Sequence, residues 1–337
     1  MSMNWQEALP VIFMSLMGLA MFVYVVLDGY DLGVGLLLPR ASDAQKDVMI
    51  ASIGPFWDAN ETWLVLGVGI LLIAFPRAHG LVLTALYFPV ALMLIGLILR
   101  GVAFDFRVKA HDSHKPLWNR VFFIGSGIAS IAQGWMLGRY ITGFADGLPY
   151  TLFAAAIALA LPATYVLHGA CWLIMKTEGP LQQLAVRWAK IAWPPMVVGM
   201  ALISIATPWV SPTVRGKWFV LPEFIALLPI PLTTAAALIG LRALLNSHRV
   251  AGPDGGKLCW LPFVLLVGVF LFGALGLAYS LYPFVVMDRL TAWQAASATK
   301  SLEFILVGCA ITVPAIAGYT VFSYRVFSGK ARDLEYA

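Results

Sequence analysis

Apolar runs of about 20 residues recur along the whole chain, separated by short stretches of proline, glycine and charge. At 1.5 Å per helical residue such a run matches the hydrocarbon thickness of a bilayer, so each predicts a membrane-spanning helix. Nine spans are expected, at 9–38, 52–75, 79–104, 119–138, 150–175, 187–209, 221–245, 259–283 and 301–326. A membrane β-barrel would instead alternate apolar and polar positions in segments of about ten residues. Leu64 to Phe75 shows no such alternation. The first span is longer than a bilayer needs, so its inner end is expected to project or to break near Gly29, Gly33 and Gly35. No linker, low-complexity run or clear repeat divides the sequence, and the expectation is an all-α integral membrane protein forming one membrane domain over residues 1–337.

Composition agrees: 61% of residues are hydrophobic and 12% charged, with a mean hydropathy of +0.85, whereas a soluble domain has about a quarter of its residues charged. Charge then orients the spans. Fifteen Lys and Arg, from Arg40 to Arg332, fall on the side reached by the end of the first span; six fall opposite, and Arg100 lies within a span. The richer side marks the cytoplasm, placing the N-terminus outside and the C-terminus inside. The same bias accounts for the net charge of +5, so nucleic acid is not an expected partner. The basic loop Arg107 to Lys115 could meet membrane lipid headgroups, though topology alone explains it. Trp5, Trp118, Trp188, Trp209, Trp218 and Trp260 fall at span ends, where indole rings anchor at the interface. Cys171, Cys259 and Cys309 make no CxxC and read as buried thiols. Met1 to Pro10 carries Glu7 and no basic residue, so the first span is expected to be retained rather than cleaved.

The chemistry gathers in the first three spans. Asp28, Asp31, Asp58, Glu61, Arg100 and Asp105 all fall in one half of the membrane. Asp58 and Glu61 are expected about 9 and about 13 Å along the second helix, on one face, with Trp57 over Glu61 at the four-residue spacing. An ionisable group at the centre of a span costs about 2.5–3.5 kcal/mol, so such groups face protein or water. Arg100 alone cannot neutralise five acids, and the remainder must be protonated, hydrated or covered by another subunit. A proton path or a polar interface would satisfy them.

Other chemistry is thin. His79, His111, His114 and His248 read as loop residues, and His168, the one histidine inside a span, reads as a packed residue. No haem-ligand pair, metal motif, phosphate loop or nucleophile elbow is present. The glycines of Asp28-Gly-Tyr-Asp31-Leu-Gly-Val-Gly35 read as close helix packing or a kink.

In order and interval, Asp28-Gly-Tyr-Asp31-Leu-Gly-Val-Gly35, Gly54-Pro-Phe-Trp57-Asp58-Ala-Asn60-Glu61-Thr-Trp63, Phe75-Pro76 and Arg100-Gly-Val-Ala-Phe104-Asp105-Phe-Arg107 resemble subunit II of the cytochrome bd quinol oxidases, with the look of the cyanide-insensitive branch. The resemblance reaches Tyr282-Pro283-Phe284 and the ninth span; Ala59 stands where the family commonly has glycine. It implies two four-helix bundles plus one peripheral helix in the bacterial inner membrane, N-terminus periplasmic and C-terminus cytoplasmic. It further implies a non-catalytic subunit of an electrogenic respiratory quinol:oxygen oxidoreductase, with haems b and d in the partner subunit I. In some members a structural quinone is held here, and a small accessory subunit is a further optional partner. Part of a cytoplasmic proton-uptake route is implied for Asp58 and Asp31, supported by Asp28, Glu61, Arg100, Asp105, Trp57 and Asn60. The alternative reading is a stand-alone proton-coupled transporter, which would show interrupted helices in paired halves and a midplane site.

Overall fold

The computed structural model describes residues 4–250 and 256–331; Met1, Arg332 and part of the connection after Asn246 lie outside the described residues. Nine helices among the described residues are long and apolar enough to cross a membrane. They are α1 (Trp5–Leu37), α3 (Trp57–Ala74), α4 (Pro76–Lys109), α5 (Lys115–Ile141), α6 (Leu148–Lys176), α7 (Gly179–Val210), the pair α9 (Glu223–Leu227) and α10 (Pro229–Leu245), α11 (Leu261–Leu281) and α13 (Thr299–Val326). Helices α1, α3, α4 and α5 form one four-helix bundle, and α6, α7, α10 and α11 form the second. The bundles meet where α6 packs on α1 and α5, while α13 lies at the periphery against α3 and α1.

The first helix is not broken at its glycines. It runs 33 residues to Leu37, about 50 Å at 1.5 Å per residue, and tightens into one 3-10 turn at Leu38–Arg40. The glycines serve helix contact instead. A Cβ on Gly33 would stand 1.8 Å from the carbonyl oxygen of Tyr165, and one on Gly169 would stand 2.4 Å from the carbonyl carbon of Gly33. With a hydrogen at each position, the backbones of α1 and α6 touch.

The second span begins later than its hydropathy suggests. Asp43–Ile53 is a separate helix, α2, opened by a capping box in which Ser42 Oγ accepts from the Gln45 backbone and the Gln45 side chain accepts from the Ser42 N–H. Only after Gly54, Pro55 and Phe56 does α3 start, so Asp58 and Glu61 sit in its first two turns rather than well inside it. His79 also belongs to a helix, near the start of α4. Of the three thiols, Cys171 is buried while Cys259 and Cys309 are only half-buried.

Both ends of the bundle are fastened. At the end carrying Trp5, a short antiparallel pair, β1 (Phe284–Val286) and β2 (Leu290–Thr291), leads through α12 (Ala292–Ala295) into α13. Trp293 Nε1 donates to the Glu7 carbonyl at 3.0 Å, and Ser297 N–H donates to the Ala74 carbonyl at 2.9 Å. Beside this pair, α8 (Pro212–Trp218) places Lys217 to donate to the Ser280 carbonyl at 2.9 Å and to that of Tyr282; burial lowers the Lys217 ammonium from its ordinary value, and Asp288 acts against that shift. At the opposite end, Arg107 bridges α4, α2 and α5, donating to Asp47 at 2.8 Å and to Asn119 at 2.5 Å.

Candidate functional site

The intramembrane acids do not form one cluster of equals. Arg100, 1% exposed, reaches across from α4 and divides its guanidinium between two helices: Nη1 donates to Asp28 on α1 and Nη2 to Glu61 on α3. A planar fork suits that geometry, since its two terminal nitrogens diverge toward two carboxylates. Asp28 is 1% exposed and Glu61 28%, so Glu61 stands at the rim of this triad.

Asp31 lies one turn further along α1, fully buried, and forms no ion pair among the described residues. Its Oδ2 accepts from Asn60 Nδ2 at 2.8 Å, while Oδ1 has no hydrogen-bond partner among the described residues. Asn60 in turn donates to Tyr30 Oη at 3.1 Å and accepts from Tyr324 Oη at 3.2 Å. The two tyrosine oxygens are 2.5 Å apart. Tyr30 is held by Trp172, whose ring stacks on it at 3.9 Å between centroids.

Two of the expected members stand apart. Asp58 and Asp105 are exposed, with no salt bridge among the described residues. Both border the place where α3 meets α4: Trp57 lays its ring on Phe104 at 5.2 Å and covers Gly101, rather than stacking over Glu61. The three-residue spacing of Asp58 and Glu61 subtends 60° on a helix. That is enough to leave one carboxylate on the Arg100 side and turn the other outward.

Several participants carry no charge and drew no attention in the sequence. Tyr24, Gln133 and Tyr165 make a buried line, with Gln133 donating to Tyr24 at 2.7 Å and accepting from Tyr165 at 2.7 Å. Tyr24 is one turn from Asp28 on α1, so this line continues the polar region toward the bundle interface. His168 is packed as expected: Nε2 is 2.8 Å from the Val26 carbonyl and the ring stacks on Phe263 at 4.8 Å. Among the described residues no group of three or more His, Cys, Asp or Glu is placed to hold a metal ion.

Comparison with known proteins gives a consistent result. The family model described as cytochrome bd terminal oxidase subunit II matches residues 9–327. The chain is 26% identical to cytochrome bd-I ubiquinol oxidase subunit 2 of Escherichia coli strain K12, covering 96% of this chain and 95% of that one. It is 27% identical to cytochrome bd ubiquinol oxidase subunit 2 of Bacillus subtilis strain 168, covering 93% and 94%. The bd oxidase structure from Geobacillus thermodenitrificans superposes with a TM-score of 0.74 at 17% identity, over 96% of this chain and 100% of that chain, and so shares the fold.

Proposed function

The chain belongs to the cytochrome bd terminal oxidase subunit II family, and from that premise we propose how it serves the oxidase of which it is a part. As a multi-pass inner-membrane subunit of an oxidoreductase complex, it pairs with the haem-bearing subunit I. Quinol oxidation and oxygen reduction occur at haems b and d in that partner, and this chain takes protons from the cytoplasm and passes them across the subunit boundary. The basic asymmetry supports a periplasmic N-terminus and a cytoplasmic C-terminus.

The observation that carries this reading is the exposed Asp58 beside a buried polar region. A carboxylate in the first turn of a span, beside buried polar groups, is better covered by a partner subunit than by lipid tails, and facing a partner it is a natural point of transfer. Asp105 on the same edge argues for the same cover. Within the chain, Arg100 pairs with both Asp28 and Glu61, while Asp31 and Asp58 form no ion pair among the described residues. These two can gain or lose a proton without breaking an ion pair, which a relay needs. Arg100 supplies a fixed charge that holds the carboxylates on α1 and α3 together. A structural quinone and a small accessory subunit are compatible with the family and would sit against the apolar outer surface.

Material purified through a tag on this chain is expected to carry haem absorption and a larger copurifying subunit. The chain expressed without that subunit is expected to bind no haem stoichiometrically. Haem absorbance in the isolated chain that disappears in His168→Ala would move redox chemistry into this subunit and overturn the assignment.

A further inference from the structure

The peripheral helix α13 has none of its most apolar window buried, yet one of its side chains enters the polar region. Tyr324 closes a ring with Asn60 and Tyr30. The hydrogens available fit this ring in one sense. The Asn60 amide nitrogen carries two, and three acceptors face it: Asp31 Oδ2 at 2.8 Å, Tyr30 Oη at 3.1 Å and the Leu27 carbonyl at 3.3 Å, of which the two shortest take the hydrogens. Tyr30, having accepted from Asn60, donates to Tyr324, and Tyr324 donates to Asn60 Oδ1 at 3.2 Å. Each hydroxyl gives one hydrogen and accepts one. The ring, with the Leu27 carbonyl beside it, holds the amide with its N–H toward Asp31 and its carbonyl toward Tyr324.

We propose that Tyr324 is a positioning residue for Asp31, acting through the Asn60 amide. Without the Tyr324 hydroxyl, the Tyr30 hydrogen is free to turn to Asn60, and the amide loses the donor that holds its carbonyl away from Asp31. The carboxyl group would then meet the other end of the amide, or none.

A strap holds Tyr324 in place. Its ring stacks on Phe56 at 4.4 Å. Just beyond it, Lys176 at the end of α6 donates through Nζ to the carbonyls of Phe327 and Gly329 and lies 5.4 Å from the Trp172 ring. Lys330 Nζ returns a bond to the Thr177 carbonyl at 3.0 Å, and the Ala331 N–H donates to the Lys176 carbonyl at 2.7 Å. The end of α13 is thus tied to the second bundle, although α13 itself packs on the first.

This inference rests on Asp31 serving the proton route only for its effect on turnover; the hydrogen-bond claim is separable. The test is infrared difference spectroscopy on the intact complex, with the Asp31 carboxyl signal identified by its loss in Asp31→Asn, alongside turnover per haem. Tyr324→Phe keeps the Phe56 stack and is expected to displace the Asp31 signal and slow turnover several-fold. Tyr319→Phe, on the exposed surface of the same helix, is expected to change neither. Lys176→Met leaves Tyr324 intact, is expected to displace the same signal, and decides the matter if Tyr324→Phe does not assemble. An unmoved Asp31 signal in Tyr324→Phe, or in Lys176→Met if only that variant assembles, would overturn the proposal. A displaced signal with wild-type turnover in both Tyr324→Phe and Asp31→Asn would keep the positioning role and refute the route.

Discussion

Arg100→Met removes the charge that two carboxylates share while roughly keeping the side chain's length. Arg100 and Asp28 are each 1% exposed, so Asp28 would keep a buried charge with nothing opposite it; Glu61, at 28%, retains some access to solvent or lipid headgroups. Removing one partner of a buried ion pair costs about 3–5 kcal/mol, and here most of that falls on Asp28. At about 1.4 kcal/mol per factor of ten, the ratio of folded to unfolded molecules would drop by about two to three and a half orders of magnitude. This is a large share of a stability of about 5–15 kcal/mol. Arg100→Lys should fall between wild type and Arg100→Met, because an ammonium cannot fork to both carboxylates as a guanidinium does. The triple variant Arg100→Met, Asp28→Asn, Glu61→Gln should regain most of the loss, since exchanging a whole buried ionic group for neutral side chains is often near neutral. The assay is the half-life of haem-bearing complex in detergent at a series of temperatures, a kinetic measure suited to unfolding that does not reverse. A wild-type half-life for Arg100→Met, or a triple variant no better than the single one, would refute the charge-sharing argument.

Two further outcomes follow from the fold and its orientation. Gly33→Ala places a methyl group 1.8 Å from the Tyr165 carbonyl oxygen, so α1 and α6 must part; the expected cost is about 1–3 kcal/mol, read as reduced yield and half-life of the complex, and wild-type values would show that the contact is looser than described. A reporter active only in the cytoplasm, fused after Ala337, should be active, and activity of an outside-only reporter at that position would invert the topology.

The spans were legible because each apolar run is long enough to stand out, and the sign of the loop charges did not depend on their limits. The joining of Asp28, Glu61 and Arg100 was also within reach, since alternating chain direction puts the end of α1, the start of α3 and the end of α4 at one level. What hydropathy could not separate was α2 from α3, because Met49 to Ile53 is buried and apolar like a span. The Ser42-x-x-Gln45 capping box was the available signal for α2. That early start displaced Asp58 inward, and helical phase alone could not say which of Asp58 and Glu61 faces Arg100. Tyr324 was invisible for another reason: it lies 264 residues from Asn60, on a helix whose composition is that of a lipid-facing span, and a neutral hydroxyl leaves no trace in a search for charges. His168 carried enough signal to be read as packed, and the stacked Phe263 and the bond to Val26 account for it.

The central claim is that Asp58 and Asp31 carry protons from the cytoplasm to the oxidase. Asp58→Asn and Asp31→Asn keep the shape of each side chain and most of its hydrogen bonding while removing the exchangeable proton. The measurement is proton uptake from the cytoplasmic side of reconstituted complex during quinol oxidation, normalised to haem, with oxygen consumption recorded in parallel. Asp58→Asn should assemble with full haem and take up protons severalfold more slowly; Asp31→Asn should be similar or milder, and the double variant less than additive because both acids serve one route. Wild-type proton uptake and turnover per haem in Asp58→Asn would contradict the relay and leave Asp58 as a contact with the partner subunit.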